Sequence, residues 1–350
     1  MSALKERLMS WVTGHAADRP VGRSAARTVV LEDAGHLKSL LESDVVDAET
    51  LVFAPGRPEG LTGPTVVAYE GSLAEPGMEF SHDPGFYLQI QAYGVSEYMS
   101  VVGATAIRVA DATDFELYLR DADRARNEGV FPEFLTAPVV QLADLPGLGA
   151  LPGPDGPWLR LYVDESGRMS TSPGGAPLGK VGDGFDRIVA EWSRVNDASA
   201  SPCAVCLGAT VPEEYRVREL AERPWLGRYL AVLHGIRDLR ARGLNVTGVS
   251  GFGSRLVNAL GEVPDPADAV DPGLPLLLWA GDEVYAHSPL RARSFRLNRD
   301  TAETVEALLV CGSPERASEY AGAADVATVL GQFEQAGVPL LVNSLVVEGK

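Results

Sequence analysis

Two stretches dense in proline and glycine set the first limits on how this chain can fold. LADLPGLGALPGPDGPW, ending at Trp158, and GEVPDPADAVDPGLP, from Gly261 to Pro275, suit neither a helix nor a central strand. Proline lacks the backbone donor such elements need, and glycine lacks a side chain to pack. The first, over 144–158, reads as a linker and the second as an exposed acidic tether. They divide the 350 residues into three spans. These are an N-terminal α/β domain over 1–147, a central α/β region over 158–260, and a small C-terminal domain over 271–345.

Within the first span, TVVLE (28–32), LVFA (51–54), TVVAYE (65–70), FYLQIQAY (86–93) and TAIRVA (105–110) are β-branched and aromatic runs, which predict strands. TDFELYLRDADRAR then predicts a helix, with Thr113 and Glu116 in a capping-box spacing and Phe115, Leu119 and Ala122 on one face. In the central span LRLYVDESGRMSTSP predicts a hairpin around Glu165–Gly167, followed by a helix from about Phe185 to Val195. A long helix is expected over 222–241, buried on most sides because Leu226, Tyr229, Leu230, Val232, Leu233 and Ile236 cover a wide arc. The fold class expected is mixed α/β (α+β), built in layers.

Charge and hydropathy narrow the function. A net charge of −18 argues against a general nucleic-acid binder, which needs a positive footprint for phosphates. The longest apolar run, LPLLLWA (274–280), is too short to span a bilayer, and Lys5, Glu6 and Arg7 interrupt any signal-peptide core. Leu4, Leu8, Trp11 and Val12 fall at helical spacing and predict a docked first helix. No membrane partner and no nucleic acid are expected, and the chain reads as cytoplasmic. Three cysteines supply no disulfide framework.

Chemistry-bearing motifs are sparse. Cys203 and Cys206 form one CxxC without a second pair or matching histidines, and AVCL around them reads as a strand interior. NVTGVSGFGSRLVNAL (245–260) has the outline of a strand, a glycine turn and a helix, as phosphate cradles do. Yet Leu256 stands where the third fingerprint glycine belongs, so a structural turn is the expectation. His15, His36, His82, His234 and His287 show no metal-ligand spacing, and His234 reads as a core histidine. Asp121 and Asp123 alternate with arginines as on a solvated helix face. No catalytic residue, cofactor or metal site is expected, and the chain does not read as an enzyme.

From Leu274 the pattern becomes orderly. LPLLLWA and EVYAHSP predict a hairpin about Gly281-Asp282. RSFRLNR predicts a third strand with Arg293, Phe295 and Leu297 on one face and Ser294 and Arg296 on the other. Three helices follow: one capped by Asp300 with Glu303, one begun by Ser313-Pro314, and one begun by Asp325 and ended by Gly337.

This stretch, LLLWAGDEVYAHSP…RSFRLNRDTAETVEALLVCGSPERASEY…DVATVLGQFEQAGVPL, resembles the PqqD-like winged-helix domain, the RiPP recognition element. RiPPs are ribosomally made, post-translationally modified peptides. The resemblance covers the C-terminal domain and rests on element order, a strand ending in Leu-Asn, and an Ala-Gly-Val turn after the last helix. RMSTSPGGAPLG, CAVCL, RPWLGRYLAVLHGIRDLRARG and VSGFGSRL make the whole chain similar to recognition proteins of daptide-type RiPP clusters.

The resemblance implies a winged helix of three strands and three helices that binds the leader segment of a precursor peptide and performs no chemistry. It implies partner enzymes such as an oxidative decarboxylase, an aminotransferase or a methyltransferase. An exposed edge strand offers free backbone groups to an extended peptide. The expected peptide-binding residues are Arg293, Ser294, Phe295, Arg296 and Leu297, with Val329, Gln332 and Phe333 on the facing helix. Arg291, Arg293, Arg296 and Arg299 would make that edge positive, suited to an acidic leader. The competing readings are charge that merely guards a free edge, a nucleotide-binding enzyme or enzyme subunit using the GFG turn, and a winged-helix transcription regulator. The last is disfavoured because Asp325 to Ala336 carries no Lys or Arg.

Overall fold

Apolar runs form strands where predicted, and several further strands complete the first sheet. The computed structural model describes residues 2–16, 24–56, 65–82, 85–150, 155–200, 203–261, 263 and 273–341. The protein is a mixed α/β chain of two compact units, Met1–Tyr118 with Val139–Glu222, and Leu119–Pro138 with Arg223–Lys350.

In the first unit α1 (Ser2–Thr13) precedes β1 (Thr28–Leu31), α2 (Leu37–Leu41), β2 (Leu51–Pro55), β3 (Thr65–Gly71) and β4 (Glu79–His82). Then come β5 (Phe86–Ala92), α3 (Tyr93–Ser96), β6 (Thr105–Arg108) and α4 (Ala112–Glu128), whose last part belongs to the second unit. β7 (Val140–Leu142), β8 (Arg160–Val163), β9 (Arg168–Ser170), β10 (Gly179–Lys180), α5 (Phe185–Asp197) and α6 (Glu213–Glu222) complete it. Helix α4 is capped by Asp111, whose carboxylate accepts from the Asp114 amide at 2.8 Å, two residues before the predicted Thr113.

The strands make one sheet in the order β10-β9-β8-β1-β2-β3-β4-β5-β6-β7. Strands β8, β1, β2 and β3 are mutually parallel, as are β5, β6 and β7, and β4 is antiparallel to both of its neighbours, so all but β4 of these eight run one way. Alternate residues separate two cores. Val29, Leu31, Val52, Leu161 and Val163 face one. Val30, Phe53, Val67, Tyr69, Ile90, Ala106 and Tyr162 face the other, together with Leu8, Trp11 and Val12 of α1. Because residues of β6 and β8 join one cluster although they lie far apart in the sheet order, the sheet curls around α1. Trp11 Nε1 donates to Leu161 O at 2.8 Å. Burial of Leu8, Trp11 and Val12 is worth roughly 2 kcal/mol each, which makes a helix this short stable where propensity alone would not.

The expected linker at 144–158, of which 151–154 lie outside the described residues, does not separate two sheets, because β1 and β8, which precede and follow it, pair directly. A 3-10 turn at Leu145–Leu148 buries Pro146, Gly147 and Leu148. Arg160 at the head of β8 reaches Asp144 beyond β7 at 2.7 Å. The predicted boundary between 147 and 158 therefore falls inside one sheet; the units divide at 118/119, 138/139 and 222/223 instead.

In the second unit α7 (Leu226–Ala241) precedes β11 (Gly248–Ser250), β12 (Gly253–Ser254), β13 (Leu276–Ala280), β14 (Glu283–Ser288) and β15 (Arg293–Leu297). α8 (Arg299–Cys311), α9 (Pro314–Ala317) and α10 (Ala323–Gln335) follow. The expected helix over 222–241 is α7, which starts at Leu226; residues 223–225, with Pro224 unable to donate a helical bond, separate it from α6. The sheet order is β12-β11-β13-β14-β15, and β13, β14 and β15 form an antiparallel meander.

Leu277, Val284 and Ala286 pack with Ala302, Val305, Leu308, Val326, Val329 and Phe333 of α8 and α10. Helix α7 covers the opposite face. A Cβ on its Gly235 would come within 3.1 Å of the His287 ring, so glycine permits the close approach. Asn298, not the predicted Asp300, caps α8 by accepting from Thr301 N at 2.8 Å. Ser313 caps α9 as expected, and Gly337 with φ +63° terminates the last turn. Most of the predicted tether, 262 and 264–272, lies outside the described residues, as does the end of the predicted C-terminal domain from 342 onward. Among the described residues no helix is long and apolar enough to cross a membrane.

Candidate functional site

The last strand of the second sheet carries the residues expected to bind a peptide. β15 pairs with β14 from Ser288↔Arg293 to Val284↔Leu297, and among the described residues its other edge pairs with no strand. Backbone groups directed away from β14 are thus open to an added strand. Phe295 is 38% exposed on this edge, and Leu290, in the turn that leads to it, is 57% exposed. A Cβ on Gly337 would lie 2.2 Å from the Arg291 guanidinium, which places the start of β15 beside the carboxyl end of α10.

The expected arginine cluster divides in two. Arg296 is held by Glu283 at 2.8 Å, and Arg299 by Glu303 at 2.7 Å. Arg291 and Arg293 are exposed and make no ion pair among the described residues. The free positive charge is therefore at the amino end of the strand.

Ser294 does not face outward. Its hydroxyl donates to Asp238 Oδ2 at 2.7 Å and accepts from His287 Nδ1 at 3.0 Å. That fixes the His287 tautomer and leaves Nε2 to accept from His234 Nδ1 at 3.2 Å. These bonds form a relay that ties β15 to α7, and burial, and then the neighbouring His234, lower the His287 pKa to about 4. Of the three residues expected on the facing helix only Gln332 is exposed; Val329 and Phe333 belong to the unit's own core. They support a groove floor at most, because α10 turns its apolar stripe onto α8.

The GFG turn is not a phosphate cradle. Among the described residues the segment that leaves the turn enters a short 3-10 turn at Asn258–Leu260 and not an α-helix. The amides that an anion would use are already taken: Leu256 N and Val257 N donate to the buried Glu306 carboxylate at 3.0 and 2.6 Å. Ser250 Oγ donates to the same group at 2.5 Å. Gly253 is required by packing, since a Cβ there would sit 2.3 Å from Gly129 N.

Cys203 and Cys206 lie in turns and not in a strand. With Asp155 they form a cluster whose ligand atoms lie within 4.8 Å of one another. The Cys206 thiol donates to Asp155 Oδ2 at 2.8 Å, and the Arg160 guanidinium lies against both groups. Burial pushes the Cys206 thiol well above its usual range, helped by Cys203 and Asp155. A neutral thiol, an arginine already neutralising the carboxylate and no fourth ligand among the described residues fit a buried hydrogen-bond cluster better than a metal centre.

Comparison of the chain with protein-family models, curated proteins and solved structures finds no match.

Proposed function

We propose that the second unit captures an extended peptide along β15, and that the chain is a non-catalytic recognition protein for the leader segment of a ribosomally made precursor. In this reading the order β13-β14-β15-α8-α9-α10 is a PqqD-like winged helix, and pathway enzymes receive the peptide from it. The observation that carries the proposal is the unpaired outer edge of β15, flanked by exposed Phe295 and Leu290 and by the unpaired Arg291 and Arg293. Strand addition supplies affinity through the main chain, Phe295 on the strand and Leu290 in the turn before it offer apolar contact, and the arginines favour acidic residues. Guarding against aggregation needs charge alone; a large exposed apolar group on the edge, with another in the turn before it, works against it.

The test uses the full chain and a fluorescently labelled synthetic leader, taken from a short open reading frame beside the gene, followed by anisotropy. Arg291→Glu with Arg293→Glu should weaken binding by roughly tenfold or more and flatten its salt dependence. Arg296→Glu should do less, because Glu283 already neutralises it. Peptides N-methylated at alternate amides should bind in one register and fail in the other. Equal binding of both N-methylated series would refute strand addition.

A further inference from the structure

The first unit carries a half-open cavity of about 340 Å³ at the carboxyl-terminal rim of its parallel strands. That rim is where open and closed α/β sheets bind ligands, and the volume suits a small molecule. Strand β6 contributes Arg108, β8 contributes Tyr162 with Asp164 beyond it, and the loop after β9 closes the mouth with Gly174 and Gly175.

Arg108 sets this cavity apart. It is 3% exposed, and none of its three guanidinium nitrogens has a hydrogen-bond partner among the described residues. Arg160, in the same curled sheet, shows what a structural arginine does. It donates to Asp155, Trp11 O and Asp144 at 3.0, 2.9 and 2.7 Å. A buried guanidinium with every donor unused is a costly arrangement unless an acceptor arrives from outside.

The surroundings specify that acceptor. A planar fork of donors matches the two oxygens of a carboxylate. Arg168, the other cation at the cavity, is already bonded to Asp164 at 2.7 Å. Asp144 and Glu32 lie within electrostatic range of Arg108. Asp144 is itself paired with Arg160, so Glu32 is the acid that opposes an incoming anion, and it opposes a dianionic phosphate more than a monoanion. Burial, with Glu32 adding to it, holds the Tyr162 hydroxyl protonated, so it stays a donor on the same wall.

We propose that the first unit binds a small organic carboxylate in this cavity, with the Arg108 guanidinium forked onto its oxygens. The site is independent of the peptide edge, so either can stand without the other.

The full chain is titrated with benzoate, with its uncharged isostere benzamide, and with inorganic phosphate, and binding is read by saturation-transfer NMR. Benzoate should bind in the millimolar range, benzamide should not, and phosphate should fail to displace benzoate. Arg108→Met should abolish the benzoate signal, and Arg108→Lys, which keeps the charge but loses the fork, should weaken it about tenfold. Silence of benzoate across the millimolar range, equal signals from benzamide, displacement by phosphate at lower concentration, or full binding by either folded variant overturns the assignment.

Discussion

Replacing each of two buried arginines by methionine should move stability in opposite directions. Arg108 and Arg160 occupy the interior of the same curled sheet, 3% and 1% exposed. Burial opposes the charge on both. At Arg160, Asp155 and Asp144 more than offset it and hold the guanidinium protonated well above its usual range. Arg108 has no such bonds, and burial lowers its pKa. Arg160→Met strands two buried carboxylates and should cost about 3–5 kcal/mol, the usual result of removing one partner from a buried ion pair. Arg108→Met removes unsatisfied donors while keeping much of the side chain's volume, and should be neutral or stabilising by about 1–3 kcal/mol. In a unit of this size each kcal/mol shifts Tm by roughly 2–4 °C. Urea denaturation of the full chain, with the slope compared between variants, reports both changes. A loss above about 2 kcal/mol for Arg108→Met would refute the reasoning, because it would mean that Arg108 has structural partners of its own. A stabilising result joined to lost carboxylate binding is what a group retained for ligand capture gives.

Two further predictions concern the second unit. The folded His287 pKa of about 4 lies below the ordinary histidine value of 6.5, so between these values the unfolded state binds more protons. Stability is full above pH 6.5 and should fall by up to about 3 kcal/mol as pH drops towards 4. Asp238, Arg242 and His234 face the same relay. Urea melts at several pH values should show this slope, and His287→Asn should flatten it; an equal slope in the variant assigns the effect elsewhere. Glu306→Gln should destabilise by about 2–4 kcal/mol, since it weakens charge-assisted bonds to two amides and a hydroxyl. A change below about 0.5 kcal/mol would mean that the carboxylate is not what clamps the 250–257 segment.

The strands of TVVLE, LVFA, TVVAYE, FYLQIQAY and TAIRVA were legible because a strand buried between two layers must be apolar along its length. The C-terminal hairpin, third strand and three helices were equally legible, since short connections and caps act within a few residues. β4 (EFSH) and β7 (VQL) carried too little apolar pattern to show. The CxxC segment was misread as a strand for a related reason: AVCL is as apolar as one, and the partners its Cys206 meets, Asp155 and Arg160, are remote in sequence.

Local chemistry in the chain determined which segments became strands and helices and that a strand rich in arginine would end the second sheet. Tertiary structure alone decided that β1 pairs with β8 across a proline-rich stretch and which arginines found partners. It also decided that His234 meets His287 and that Arg108 lies buried in the wall of a cavity. The physical reason is range. Propensity, alternation and capping act over a few neighbours, whereas parallel pairing, burial of charge and the assembly of a pocket depend on segments that only the folded chain brings together.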